Sequence, residues 1–321
     1  MREKAARGVE NCGRSARACA RTRVMAHFLG IDGGGTTTTC VVGDENSVLA
    51  NATASASNIT RVGEAGARAA LHSAIREACG SARVDAKAMA RSCAGVSGGG
   101  RADIAEKLQR MLAEVVGGEI KVVGDMLIAL EAAFPGKPGV IVIAGTGSVA
   151  FGRNARGETW RAGGWGYAIS DEGSGYWIGR TAVRFALRAR DEGHETELLA
   201  EIMRMLQVRD FDDLVRTGNV PGTDLAAVVP AVIALAEKDE FARGVLSFAA
   251  KELAELADIV IRHLWDPEQH VPVACAGGVF RNSSVLREFF YNELCALWPG
   301  ITPNKEMVEP VLGALHLARN G

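Results

Sequence analysis

From His27 onward, short β-branched or apolar runs alternate with longer stretches of helical spacing. Runs at 27–31, 37–43 and 47–54 carry the strand signature of β-branched residues at period two. A helical pattern near 63–79 follows, then a strand at 91–96, a helix at 102–115, a strand at 119–123 and a helix at 126–134. Pro135 and Pro138, with Gly136 and Gly139, stop the last of these, because proline supplies no N–H and glycine tolerates the turn. The opening pattern then returns. GVIVIAGTGSVAFGRN, Gly139 to Asn154, is again an apolar strand, a Gly/Thr/Ser turn and a second strand. Set beside FLGIDGGGTTTTCVVG, it points to an internal duplication of a ββ unit, each copy opening one domain. The remainder is mostly helical, at 172–190, 195–205, 224–237, 241–265, 284–296 and 309–318, with one clear buried strand, VPVACAGG at 271–278. The expectation is an α/β protein of two similar lobes with its ligand site in the cleft between them.

Composition narrows the function classes. At 321 residues the chain suits two domains, and Lys+Arg 36 against Asp+Glu 38 leaves a formal charge of -2, so no basic field points to nucleic acid. No apolar run reaches the ~18 residues of a membrane span. The seven cysteines, at 12, 19, 40, 79, 93, 275 and 295, are odd in number and lack CxxC spacing, which suits reduced thiols in a cytoplasmic protein. Residues 1–24 carry seven Arg/Lys and no periodic apolar face, so they read as a disordered extension ahead of a natural start at Met25. An Arg-rich transit peptide is the competing reading, and Glu3 and Glu10 oppose it.

Candidate chemistry concentrates at the glycines. GIDGGGTTTT, Gly30 to Thr39, and the GTGS turn offer backbone N–H groups and hydroxyls that can cradle successive phosphates, although plain glycine-tipped hairpins would look similar. Asp32 precedes the first turn, where a carboxylate can hold Mg²⁺ directly or through water. There is no GxxxxGK[ST] and no GxGxxG opening a helix, and HETEL at 194–198 lacks the second His of a zincin. GVSGG, Gly95 to Gly99, fits GxSxG and would make Ser97 the nucleophile of a serine hydrolase, but three glycines delay the helix that an elbow needs. In VVGD, Asp125 ends a strand and opens a helix, either as an N-cap or as a base aimed into the cleft. GGWGYAISDEGSGYWIG, 163–179, sets Trp165 on a glycine-shaped loop beside Asp171 and Glu172, which suits a sugar: a face to stack and hydroxyls to accept.

Taken in order, GIDGGGTTT, GVSGG, VVGD, IAGTGS, GGWGYAISDEGSGYWIG, CAGGVF and PVLGALHLA make the chain from about Phe28 to Leu317 resemble the N-acetylglucosamine kinase group of the BadF/BadG/BcrA/BcrD ATPase family. That group lies within the sugar kinase–actin–Hsp70 superfamily. The resemblance implies two ribonuclease-H-like (actin-like ATPase) lobes, 25–137 and 138–308, closing on ATP–Mg²⁺ and a sugar, with the last helix, 309–321, returning to the first lobe. It implies phosphorylation of the 6-hydroxyl of an amino sugar, N-acetylglucosamine foremost, with a family ATPase or sugar-sensing module as the alternative. On this resemblance Asp125 is the base; Gly34, Gly35, Thr36, Gly145, Thr146 and Gly147 hold phosphates; and Asp32 serves the metal. Gly277, Gly278 and Asn282 hold the adenosine, while Asn58, Ser97, Ser148, Val149, Gly164, Trp165, Gly166 and Asp171 line the sugar pocket. Val149 departs from the Asn of the animal members, and GGWG favours N-acetyl sugars. No cysteine sits near the usual place after GTG, unlike in the radical-dehydratase activators of the family, and relatives are often homodimers.

Overall fold

The computed structural model describes residues 26–321, so the expected N-terminal extension lies outside the described residues. The first lobe is a five-stranded sheet of order β3-β2-β1-β4-β5. Its strands are β1 (Phe28–Gly33), β2 (Thr37–Gly43), β3 (Val48–Ser55), β4 (Arg91–Val96) and β5 (Glu119–Gly124). β1, β2 and β3 form an antiparallel meander, and β4 and β5 join parallel to β1. Alternation along the strands sorts the two faces. Leu29, Ile31, Cys40, Val42, Ala94 and Val96 pack under α1 (Ile59–Ala82) and α2 (Ala102–Ala113). Phe28, Val41 and Cys93 face the opposite side, against α11 (Pro310–Asn320) and Ile128 of α3 (Asp125–Ala133).

The second lobe repeats this plan in full. Its sheet has the order β10-β9-β6-β7-β8, built from β6 (Gly139–Ala144), β7 (Ser148–Arg153), β8 (Thr159–Gly163), β9 (Val271–Ala276) and β10 (Ile301–Asn304). Again the first three strands are antiparallel and the last two parallel. The duplication therefore covers five strands in each lobe, beyond the ββ unit and the single later strand read from the sequence. Both are ribonuclease-H-like sheets. The larger core here packs Val140, Val142, Val273 and Cys275 against α4 (Gly175–Asp191), α8 (Glu240–Leu264) and α10 (Ser284–Leu297).

Other expectations shift locally. The 224–237 helix divides into a 3₁₀ turn (Leu225–Val228) and α7 (Val229–Leu235), while α5 (Glu197–Met205) is joined by an unforeseen α6 (Phe211–Gly218). α1 begins with a separate turn, because Gly63 leaves helical geometry at φ 71, ψ 170. Among the described residues no helix is long and apolar enough to cross a membrane.

Two features place the site. α3 is apolar on both sides: Ile128 meets the first lobe's cluster, while Ala129 and Leu130 meet Ile141, Ala274 and Ala276 of the second sheet. Asp125, its first residue, thus opens where the lobes meet. α11 lies close enough to share backbone contact with its neighbours. A Cβ on Gly30 would fall 2.5 Å from the Leu315 nitrogen, and one on Gly313 would fall 1.9 Å from the Ile128 oxygen. Gly→Ala inside a helix ordinarily gains up to ~1 kcal/mol, but forcing atoms into a filled contact costs ~1–3 kcal/mol. Gly313→Ala is therefore expected to lower the melting temperature by several degrees; a variant as stable as the parent would refute this close packing.

Candidate active site

The two Gly-rich turns, far apart in sequence, meet in space. The hydroxyls of Thr36 and Thr146 lie 2.9 Å apart, joining the β1–β2 hairpin to the β6–β7 hairpin across the lobes. Each turn is closed by its own backbone, Gly34 N–H donating to the Thr37 carbonyl and Gly145 N–H to that of Gly147, both at 2.9 Å. Ser57 and Asn58 donate their N–H groups to the Gly34 carbonyl at 3.2 and 3.3 Å, tying the start of α1 to the first turn. Asn58 caps that helix, accepting from the Thr60 N–H at 3.0 Å and the Thr60 hydroxyl at 2.6 Å.

Beside the first hairpin lie two carboxylates. Asp32, on β1, is pushed up to about 7 by burial, then by the negative charges of Asp125 and Glu309; Arg281 opposes them. Asp125 is also raised, by burial above all, against the hydrogen bonds it accepts from the Met126 N–H at 3.0 Å and from Ser97. Gly124 is the N-cap of α3, so Asp125 occupies the first helical position, with one carboxylate oxygen holding the N–H of the next residue. Ser97 donates its own N–H to the Gly33 carbonyl at 2.9 Å, which fixes the loop after β4 against the first hairpin. This arrangement removes the hydrolase alternative. Ser97 is partnered by a carboxylate, no histidine is hydrogen-bonded to it among the described residues, and it opens a four-residue turn that ends short of α2.

A third group surrounds the second hairpin. Asp171 is a buried non-glycine residue at φ 65, and its carboxylate accepts from the Gly166 N–H at 3.2 Å. Burial raises its affinity for a proton, and the N–H groups of Gly166, Ser148 and Trp165 act against that. A Cβ on Gly147 would fall 2.6 Å from Asp171 Oδ2, so the hairpin and the carboxylate are in contact. The buried Ser148 hydroxyl donates to the Glu172 carbonyl at 2.6 Å, so its proton holds this corner in place. Val149 pairs with Gly163, and Gly163, Gly164 and Gly166 all take positive φ. That backbone turns Trp165 outward: it is 64% exposed, with the Arg161 guanidinium 4.3 Å over its ring.

The adenosine candidates lie at the end of β9. Gly277 takes φ 97 and a Cβ there would fall 2.2 Å from the Ala144 oxygen, so the position requires glycine, whereas Gly278 faces open space, and the Asn282 amide donates to the Gly278 carbonyl at 2.9 Å. Between them and α11, Arg281 pairs with Glu309 at 2.8 Å. Neither member of this pair was singled out by sequence. Both lie next to recognisable motifs, but only folding brings them to Asp32.

Carboxylates, hairpins and open glycine therefore converge at the carboxyl ends of β1, β4, β5, β6 and β9, where α/β sheets bind ligands. The family model described as BadF/BadG/BcrA/BcrD ATPase matches residues 29–318. The chain belongs to that family. Among its relatives, a protein of Clostridium acetobutylicum named N-acetylmuramic acid/N-acetylglucosamine kinase is 32% identical over 92% of this chain and 99% of its own length. An N-acetyl-D-glucosamine kinase of Dictyostelium discoideum is 32% identical over 91% of this chain and 98% of its own. A crystal structure described as a putative N-acetylglucosamine kinase from Chromobacterium violaceum superposes with a TM-score of 0.73 at 27% identity, covering 92% of this chain and 99% of that one.

Proposed function

We propose that this member of the family is an ATP-dependent kinase that phosphorylates the 6-hydroxyl of an amino sugar, with N-acetylglucosamine as the preferred acceptor. The observation that carries the reading is the meeting of Thr36 and Thr146 at 2.9 Å beside the half-buried Asp125. Two donor-rich turns facing each other hold a polyphosphate by many oriented dipoles, and phosphoryl transfer asks for that positioning more than for covalent help. The touching hydroxyls must part to admit phosphates, so nucleotide entry involves lobe opening.

In the reaction the sugar oxygen forms a bond to the γ-phosphorus. The bond from that phosphorus to the β,γ-bridging oxygen breaks, ADP leaves with the electron pair, and the hydroxyl proton passes to Asp125. Burial makes Asp125 a stronger base than an ordinary carboxylate, and the Met126 N–H and Ser97 orient it. The sugar is taken by the pocket of Asn58, Ser97, Val149, Gly164, Trp165, Gly166 and Asp171, with Trp165 as the stacking face and Asp171 as an acceptor. Ser148 positions the last of these. The open approach to Gly278 leaves room for the adenosine, beside Gly277 and Asn282.

The residues present fit Mg²⁺ brought with the nucleotide. Asp32 is a half-buried carboxylate among other negative charges, and no cluster of three His, Cys, Asp or Glu residues among the described ones would make an all-protein cage. One carboxylate plus phosphates and water is the usual Mg²⁺ arrangement, and the ion supplies charge neutralisation at the β- and γ-phosphates. The five described cysteines are free, which supports work in a reducing, cytoplasmic setting; a homodimer is the assembly expected from the resemblance.

The test is ADP release by the purified protein with ATP and Mg²⁺, with N-acetylglucosamine, glucosamine, N-acetylmuramic acid, glucose or no sugar. Release stimulated most by N-acetylglucosamine is expected. Release that ignores every sugar would replace this reading with a family ATPase.

A further inference from the structure

Arg61 occupies the junction of the two hairpins. Its Nη1 lies 3.5 Å from where a Cβ on Gly35 would stand, and the Thr146 hydroxyl oxygen lies at the same distance from that point. The position is built from the backbone upward. Gly34 takes the N–H groups of Ser57 and Asn58, the Asn58 carbonyl takes those of Arg61 and Val62 at 3.0 Å, and Gly63 then breaks the helix. The single turn 59–62 is thereby fastened to the first hairpin, and Arg61 projects from it. Thr38 reinforces the attachment, donating its hydroxyl to the buried Ser57 at 2.8 Å.

The guanidinium itself is unspent. Among the described residues Arg68 pairs with Glu114 and Arg101 with Asp103, whereas Arg61, exposed to solvent, forms no ion pair and donates no side-chain hydrogen bond. A cation set without a partner between two anion-cradling turns is poised for an anion that arrives with the ligand.

We propose that Arg61 is a catalytic residue of the transfer step, its guanidinium holding the equatorial oxygens of the γ-phosphoryl group as that group passes from ATP to the acceptor. The assignment rests on the kinase reading and adds a residue to it. Charge on those oxygens is redistributed as the bond to the bridging oxygen breaks, and a forked cation carried on a turn fastened to the first hairpin can follow it there. Arg61 takes no proton; that passes to Asp125. Its position on a turn tied to Gly34 means that it moves with the first hairpin when the lobes part, so the charge stays with the phosphate site.

The experiment compares wild type, Arg61→Gln and Arg61→Lys. With N-acetylglucosamine, kcat of Arg61→Gln is expected to fall about 10²–10³-fold, the range for removal of a preorganised donor, with little change in the sugar KM. Arg61→Lys should recover part of that loss, having the charge without the fork. A binding readout accompanies the kinetics: calorimetry should give unchanged ADP affinity in Arg61→Gln, which also shows that the variant is folded, and at least ~10-fold weaker affinity for ADP–beryllium fluoride, which places an anionic group in the γ position. Wild-type kcat together with wild-type affinity for ADP–beryllium fluoride would overturn the proposal. So would a loss confined to N-acetylmuramic acid, since Arg61 would then be reading a sugar carboxylate. Should the wild type show no sugar-dependent turnover, the kinase reading falls, and the beryllium fluoride comparison still decides the role of Arg61.

Discussion

Asp125→Asn is expected to bind ATP and sugar normally while losing about 10²–10⁴-fold in turnover, the usual contribution of a general base. The substitution is nearly isosteric, and its amide oxygen can still accept from Met126 and Ser97, so the loop after β4 and the start of α3 should keep their geometry. What disappears is the proton acceptor. Because burial raises the affinity of Asp125 for protons, the wild-type rate should fall on acidification at a pH above the ordinary carboxylate range. A base works only when ionised, so activity is present above its folded pKa and lost below it. Asp125→Asn should abolish that acid limb along with the rate. Steady-state kinetics across pH checks both, and a variant retaining full turnover would refute the assignment whatever its pH profile.

What the sequence made legible was whatever depends on local residue type. The hairpins announce themselves because glycines and threonines between β-branched runs allow few other structures, and β1, β2, β6 and β7 fall where that pattern puts them. β8 and β10 did not show, for different reasons. Both are short sheet edges, β8 reads TWRAG without clean alternation, and Pro303 in β10 argues against a strand except at an edge, which is where it lies. Asp125 was visible as a strand-end carboxylate, but its exact helical position depended on Gly124 taking the cap. Arg61, Arg281 and Glu309 were not visible as site residues. Their significance arises from contacts between hairpins or lobes, and nothing in RVGE, VFRN or VEP distinguishes these charges from a solvated surface. Asp171 at φ 65 is a mixed case: its carboxylate was read from the motif, its strained backbone was not. Such a conformation held beside a binding loop is the kind of local cost that sites retain.

That trade between stability and function gives Asp32→Asn two opposite outcomes in one molecule. In the unfolded chain the carboxyl titrates at 3.8; in the fold it is pushed up to about 7 by burial, then by Asp125 and Glu309. Between those values the folded protein holds more protons than the unfolded chain, so stability falls as pH rises through that window. Above pH 7 the penalty is fully present, and about 2–4 kcal/mol of it should be relieved by a neutral amide of the same shape. Without nucleotide, Asp32→Asn is therefore expected to melt several degrees above wild type at pH 8, with the gap closing near pH 4. Its sugar-dependent ADP release at limiting Mg²⁺ should instead drop roughly 10–100-fold, as when the protein support of a metal is removed. Thermal melts at the two pH values and a Mg²⁺ titration of activity separate the claims. A variant no more stable than wild type at pH 8 would deny the buried charge. Greater stability with an unchanged Mg²⁺ requirement would leave the charge in place and remove Asp32 from the metal's support.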